Sequence, residues 1–136
     1  MNKVIFLTGA TGLVGSNLIP RILRNDTSTR LVLLIRGNSD SEAEKRPEGI
    51  LRRLWPEFNF RQAKKQIQVV RGKITLSRLG LTESLYTGQV MKATHIIHSA
   101  ATVKFQLPLE CARRVICEGT KNVMAFAKYF QEGGRR

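Results

Sequence analysis

Three glycines at intervals of three, Gly9, Gly12 and Gly15, are the residues whose type and spacing point most directly to chemistry. A backbone that turns sharply needs φ values open to glycine, and a phosphate approaches only where no Cβ stands in the way. A helix starting behind such a turn aims its unpaired N–H groups and positive dipole end at the anion. The interval differs from the general G-x-G-x-x-G fingerprint, so the setting must carry the argument. The setting is favourable. The apolar run Val4-Ile5-Phe6-Leu7 precedes the turn, and Leu18, Ile19, Ile22 and Leu23 recur behind it at helical spacing. This is the pattern of a buried strand, a tight turn and a helix, the first unit of a dinucleotide-binding fold.

A second chemical signal is Arg36. NAD sites place an acidic residue about 20 positions after the glycine turn, where it accepts from the ribose 2′-hydroxyl. Here Arg36 stands at the end of the apolar run Leu31–Ile35, with no acidic residue before Asp40. A guanidinium there pairs with a 2′-phosphate, which favours NADP(H) over NAD(H). A third signal is Ser99-Ala100-Ala101, small residues that let backbone approach a ligand at the carboxyl end of a strand. His95 and His98 have a tempting H-x-x-H interval. On a strand, residues three apart face opposite sides, which argues against a shared metal. Cys111 and Cys117 form no C-x-x-C and are expected as buried or half-buried thiols in a reducing, cytoplasmic setting.

These groups need elements to hold them. Leu31–Ile35 is nearly unbroken in its apolarity, as in a parallel strand covered on both faces. Pro20 falls inside the first helix and predicts a bend there. Residues 38–66 are polar and interrupted by Pro47 and Pro56. Ile50, Leu51, Leu54, Trp55 and Phe58 predict one amphipathic helical stretch in an otherwise irregular crossover, with Trp55 packing rather than reacting. Ile67–Arg71 is a third strand, closed by Gly72-Lys73-Ile74, and Thr82–Met91 is a helix weakened by Gly88. A fourth strand begins at Thr94. Pro108-Leu109-Glu110 opens a last long helix with Ala112, Val115, Ile116, Val123, Phe126, Ala127 and Phe130 on its apolar face, ended by Gly133-Gly134. Gly119, mid-helix, predicts close packing against a neighbour. Strands alternating with helices imply a parallel sheet with right-handed crossovers.

The chain has 136 residues, the size of one domain, and residues 1–136 are expected to form a single NAD(P)-binding unit. No stretch approaches the ~18 apolar residues of a membrane span, and no signal peptide is visible. The net charge is +13, and no acidic residue lies between Glu57 and Glu83, where Arg61, Lys64, Lys65, Arg71, Lys73 and Arg78 fall. Such a balance attracts phosphorylated cofactors, coenzyme A, acidic carrier proteins or nucleic acid. The basic residues are not interleaved with stacking aromatics and no zinc-finger spacing occurs, which argues against nucleic acid.

TGATGLVG, LLIRG, VVRGKI, LGL, THIIHSAATVKF and EGTKNV occur in order across essentially the whole chain. Together they resemble the extended short-chain dehydrogenase/reductases. More narrowly, the chain is similar to the thioester reductase and fatty acyl-CoA reductase branch, the male-sterility type of NAD-binding domain. The resemblance implies an α/β fold, a Rossmann-type doubly wound parallel sheet. It implies the N-terminal portion, about four strands, without the C-terminal catalytic half. It implies NADPH-dependent reduction of an acyl thioester, carried on coenzyme A or an acyl-carrier protein, to an aldehyde or alcohol. By position, Thr8, Gly9, Thr11, Gly12, Leu13 and Gly15 would cradle the pyrophosphate and Arg36 the 2′-phosphate. Lys73 and Ile74 would border the adenine, and Ser99, Ala100, Ala101 and Thr102 would line the ribose and nicotinamide.

Three departures stand out. Lys73 occupies a position where the family usually has an acidic residue, and an ammonium cannot accept from the adenine amino group. Ile116-Cys117 replaces the usual Asn-Val before EGT. The Tyr-x-x-x-Lys pair, whose tyrosine protonates the carbonyl oxygen in that chemistry, does not occur: Tyr86 is followed four residues on by Val90, and Tyr129 by Gly133. The sequence ends about where a fifth strand is expected. The expected function is therefore the NADP(H)-binding portion of a thioester reductase, inactive alone. The alternatives are a stand-alone NADP(H)-binding module, a subunit whose sheet is completed by a second polypeptide, a sugar-nucleotide epimerase or dehydratase fragment, and a polyanion binder with a decayed site.

Overall fold

The computed structural model describes residues 2–101 and 106–132, the side chains of 130–132 excepted. Each short apolar run bounded by turn residues is a strand: β1 (Val4–Thr8), β2 (Arg30–Ile35), β3 (Ile67–Arg71) and β4 (His95–His98). All pairings are parallel, in the order β3-β2-β1-β4. β1 is central, with Leu7 in register with Leu33 on one side and Ile97 on the other. Strands are added outward in opposite directions from β1, so a crevice opens at the carboxyl ends of β1 and β4.

The helices are α1 (Leu13–Asn25), α2 (Asp40–Leu54), α3 (Phe60–Ala63), α4 (Glu83–Lys92), α5 (Leu109–Arg113) and α6 (Gly119–Glu132). They cover both faces of the sheet. Ile5, Leu7, Leu31, Leu33 and Ile35 pack against Ile19 and Leu23 of α1, Ala43 and Leu51 of α2, and Phe60. Phe6, Val32, Leu34 and Val70 point the other way, onto Leu79, Tyr86, Val90, Val123 and Phe126. Successive strand residues alternate between faces, so each strand feeds both cores. The doubly wound α/β expectation is met.

Two prolines lie inside helices. α1 runs through Pro20 without interruption, and α2 runs through Pro47 for 15 residues, so the helical stretch expected at Ile50, Leu51 and Leu54 begins earlier, before the proline, and ends before Trp55 and Phe58. Each proline removes one backbone donor from its helix. Each ring is also fully buried, so apolar contact offsets the missing bond. Ser39 caps α2 by accepting from the Glu42 N–H, 3.1 Å. Thr82 caps α4 from the Leu85 N–H, 3.2 Å, and a Cβ at Gly88 would meet only open space. Trp55 packs with Phe58 against the α1–α2 core.

The last helix is not one continuous α-helix. Arg114–Glu118 forms a wider π-helical turn between α5 and α6. Val123 and Phe126 are buried, but Ile116 is half exposed and lies off the apolar face. Phe126 stacks on Phe6, with ring centroids 4.5 Å apart, and meets Tyr86 edge-on at 5.4 Å. Gly119 is where close packing was expected: a Cβ there would lie 2.6 Å from Ile74 Cδ1.

Candidate nucleotide-binding site

The glycine turn follows β1 directly. Gly9 has φ +76°, and a Cβ on it would lie 2.6 Å from the Ala100 nitrogen and from the Ser99 carbonyl carbon. Both the dihedral and the space therefore require glycine. The Gly12 N–H closes the turn onto the Gly9 carbonyl at 3.1 Å. A Cβ at Gly15 would overlap the Gly9 carbonyl, so the third glycine seats α1 on the turn. Gly12 precedes α1 and offers no side-chain cap, and the first turn holds no acidic residue. The helix start therefore keeps unsatisfied N–H groups and a positive dipole end beside the crevice. Leu13 and Val14 are exposed at its mouth. This cradle fits a pyrophosphate.

Thr8 links the turn to the far wall. Its hydroxyl accepts from the N–H groups of Ser99 and Ala100, both at 3.2 Å, and lies 2.6 Å from His98 Nδ1. The Ser99 hydroxyl in turn donates to the Thr8 carbonyl at 2.8 Å. Ser99, Ala100 and Ala101 thus follow β4 immediately beside Gly9. Thr102 lies outside the described residues. His98 is half-buried, and that burial holds its ring below the ordinary imidazole pKa. His95 makes a separate contact, with Thr94 Oγ1 at 2.9 Å. Among the described residues no group of three or more metal-ligating side chains occurs.

A cavity of about 460 Å³ opens at the carboxyl ends of β2 and β3 and is lined by Arg36, Asn38, Glu42, Arg46, Arg71 and Lys73 among others. Arg46 reaches back from α2 and donates to the Arg36 carbonyl at 2.6 Å. Arg71 donates to the Asn38 carbonyl at 3.1 Å and pairs with Asp40 at 2.9 Å. Lys73 is held by its backbone, its N–H donating to the Leu79 carbonyl at 2.8 Å. Ile74 is buried beneath Gly119 and does not line the cavity; its carbonyl accepts from Asn122 at 2.7 Å.

Sequence reasoning singled out Arg36 and Lys73; the structure adds Arg46 and Arg71 to the cavity they line, and places His98 apart from it, at Thr8. Parallel pairing supplies the missing signal for Arg71: it lies opposite Ile35, so two strand ends deliver Arg36 and Arg71 to one edge. Arg46 is reached only through a helix that Pro47 seemed to forbid. The two cysteines are free, Cys111 half-buried and Cys117 exposed, so the expectation of a shielded thiol fails at Cys117. No helix among the described residues is long and apolar enough to cross a membrane.

Comparison with known proteins gives a consistent picture. Residues 7–133 match the male sterility protein family. The chain is 29% identical to the fatty acyl-CoA reductase wat of Drosophila melanogaster, covering 93% of this chain and 25% of that protein. It is 30% identical to the putative fatty acyl-CoA reductase CG8303 of the same organism, covering 96% of this chain and 24% of that protein. The chain therefore spans about a quarter of the length of these curated relatives. Among solved structures, it superimposes on the terminal R domain from the myxalamid PKS-NRPS pathway with a TM-score of 0.82 at 30% identity, over 93% of this chain and 32% of that one. The reductase domain of a non-ribosomal peptide synthetase from Mycobacterium tuberculosis gives 0.77 at 29% identity, over 93% and 30%.

Proposed function

The chain belongs to the male sterility protein family, and from that premise we propose that it forms the NADP(H)-binding portion of an enzyme reducing an acyl thioester. The thioester is carried on coenzyme A or on an acyl-carrier protein, and the product is an aldehyde or alcohol. The bound cofactor supplies the reducing equivalents. The chain's own residues supply the grip: the Gly9–Gly15 cradle for the pyrophosphate, Arg36 for the 2′-phosphate and Ser99–Ala101 for the nicotinamide side. Residues 1–136 act as one cofactor-binding unit.

The observation that carries the choice of NADP(H) is the cationic cavity. Arg36, Arg46, Arg71 and Lys73 line it against Glu42 alone among acidic residues. A 2′-phosphate is attracted there, whereas a bare ribose offers those cations no anion. Calorimetric titration of the chain with NADPH and NADH, at low and moderate salt, tests the reading. Saturable binding that prefers NADPH and survives added salt is expected. Binding that vanishes with salt would favour the polyanion reading instead. Arg36→Asp is expected to weaken NADPH binding about tenfold or more and to shift preference toward NADH; unchanged selectivity would remove Arg36 from the site. Lacking Tyr-x-x-x-Lys, these 136 residues are expected to bind cofactor without turning over acyl-CoA.

β4 pairs only with β1 among the described residues. Its outer edge is the place for a further strand, from the same polypeptide or a second one.

A further inference from the structure

The hydrogen bonds at Thr8 assign a protonation state to His98. A hydroxyl has one proton to donate and two lone pairs with which to accept. Both lone pairs of Thr8 Oγ1 face N–H groups at 3.2 Å: that of Ala100, and that of Ser99, which it shares with the Thr8 carbonyl at 3.2 Å. The remaining proton must point to His98 Nδ1, 2.6 Å away. His98 therefore accepts at Nδ1 and carries its own proton on Nε2, where Thr120 Oγ1 lies at 3.5 Å. A proton added at Nδ1 would leave two donors facing each other. For Thr8 to accept from the charged ring, its hydroxyl must turn and give up an amide: the Ser99 N–H would fall back on the Thr8 carbonyl alone, or the Ala100 N–H would lose its partner.

We propose that neutral His98 is a positioning residue for nucleotide binding: through Thr8 it clamps the Ser99–Ala100 backbone against Gly9, and its protonation loosens that clamp and weakens binding. The inference rests on the nucleotide-binding reading above and adds a pH dependence to it. The surroundings of the ring support it. From β1 it faces the uncharged Thr8, and from α6 the uncharged Thr120. The charged residues flanking Thr120, Glu118 and Lys121, pair with each other at 3.3 Å. On β4 the nearest titratable group, His95, is engaged by Thr94. Burial alone lowers the His98 pKa, so the ring is neutral near pH 7 and gains its proton only in more acidic solution.

Two measurements on the chain separate this inference from the function it rests on. Nitrogen-15 NMR of the histidine rings, without nucleotide, is expected to show His98 as the Nε2–H tautomer at pH 7.5. An Nδ1–H tautomer or a charged ring would overturn the assignment. NADP⁺ affinity is then followed from pH 7.5 to 5.5. The nucleotide's own phosphate titrates near pH 6, so the informative quantity is the comparison with His98→Asn, whose side-chain oxygen replaces Nδ1 as an acceptor that cannot be protonated. Wild type is expected to lose about tenfold more affinity across that range than His98→Asn, the size of one lost hydrogen bond. His98→Leu, with no acceptor, is expected to bind more weakly at pH 7.5, and His98→Asn to recover part of that loss. Equal pH profiles for wild type and His98→Asn would overturn the positioning role and leave the cofactor reading intact. Absence of any binding by wild type at pH 7.5 would overturn both, whatever the tautomer.

Discussion

β2 and β4 flank the same central strand, yet their surroundings differ. Leu33 and Ile97 sit in register on either side of Leu7. Leu33 is fully buried, in a strand whose Leu31–Ile35 are all buried between two neighbours and two helical layers. In β4, His95 is exposed and Ile96, Ile97 and His98 are only half-buried. The side that carries the glycine turn and Arg36 is thus built on finished packing. The opposite wall is held largely by polar contacts: Thr8 to His98, Ser99 and Ala100, and Thr94 to the backbone of Val4.

That contrast can be tested by substitution. Leu33→Ala is expected to cost about 3 kcal/mol in urea unfolding and Ile97→Ala about 1 kcal/mol; equal costs would erase the distinction between the strands. A smaller effect is expected at the glycines, with opposite signs. Gly15→Ala drives a methyl into the Gly9 carbonyl and should cost about 2 kcal/mol while abolishing nucleotide binding. Gly88→Ala in α4 meets open space and should stabilise by about 0.7 kcal/mol. A destabilised Gly88→Ala would mean that the space beside Gly88 is filled.

The smallest effect concerns acid. Asp26, in the turn between α1 and β2, accepts from the Ser28 N–H and hydroxyl and from the Thr29 hydroxyl, which hold its pKa at about 2. A carboxylate lowered in the folded state contributes fully above its unfolded value near pH 4, and that contribution is lost as pH falls through about 2. His98 shifts in the same sense at higher pH: its neutral form is favoured by folding, so stability falls as pH drops below about 6.5. Acid-unfolding curves of Asp26→Asn and His98→Asn should flatten in these two separate windows.

The strands, the glycine turn and the close packing at Gly119 were legible in the sequence because each rests on a local signal: an apolar run bounded by turns, or a missing side chain. α2 was legible only towards its end, at Ile50, Leu51 and Leu54, because its buried stripe Ala43-Pro47-Leu51 has a proline at its centre. In isolation that residue breaks helices; against a core its ring becomes packing. Arg36 was legible as the end of an apolar run. Arg71 and Arg46 join it only through parallel register and the unforeseen helix. The role of His98 depended on which atom of Thr8 still had a proton to give, and no spacing rule encodes that.

The contact between Thr8 and His98 spans 90 residues of chain. Phe6 meets Val32 after 26 and Ile96 only after 90. Closing the longer loop costs about 1 kcal/mol more entropy, and contacts of such separation tend to form late in folding. The glycine turn and its β2 support can therefore assemble early, while the opposite wall waits for β4 to arrive. A nucleotide that bridges both walls meets them together only after that last step. Its effect should be kinetic as well as thermodynamic: it would act mainly as a brake on unfolding, and hardly change the rate at which the chain first folds.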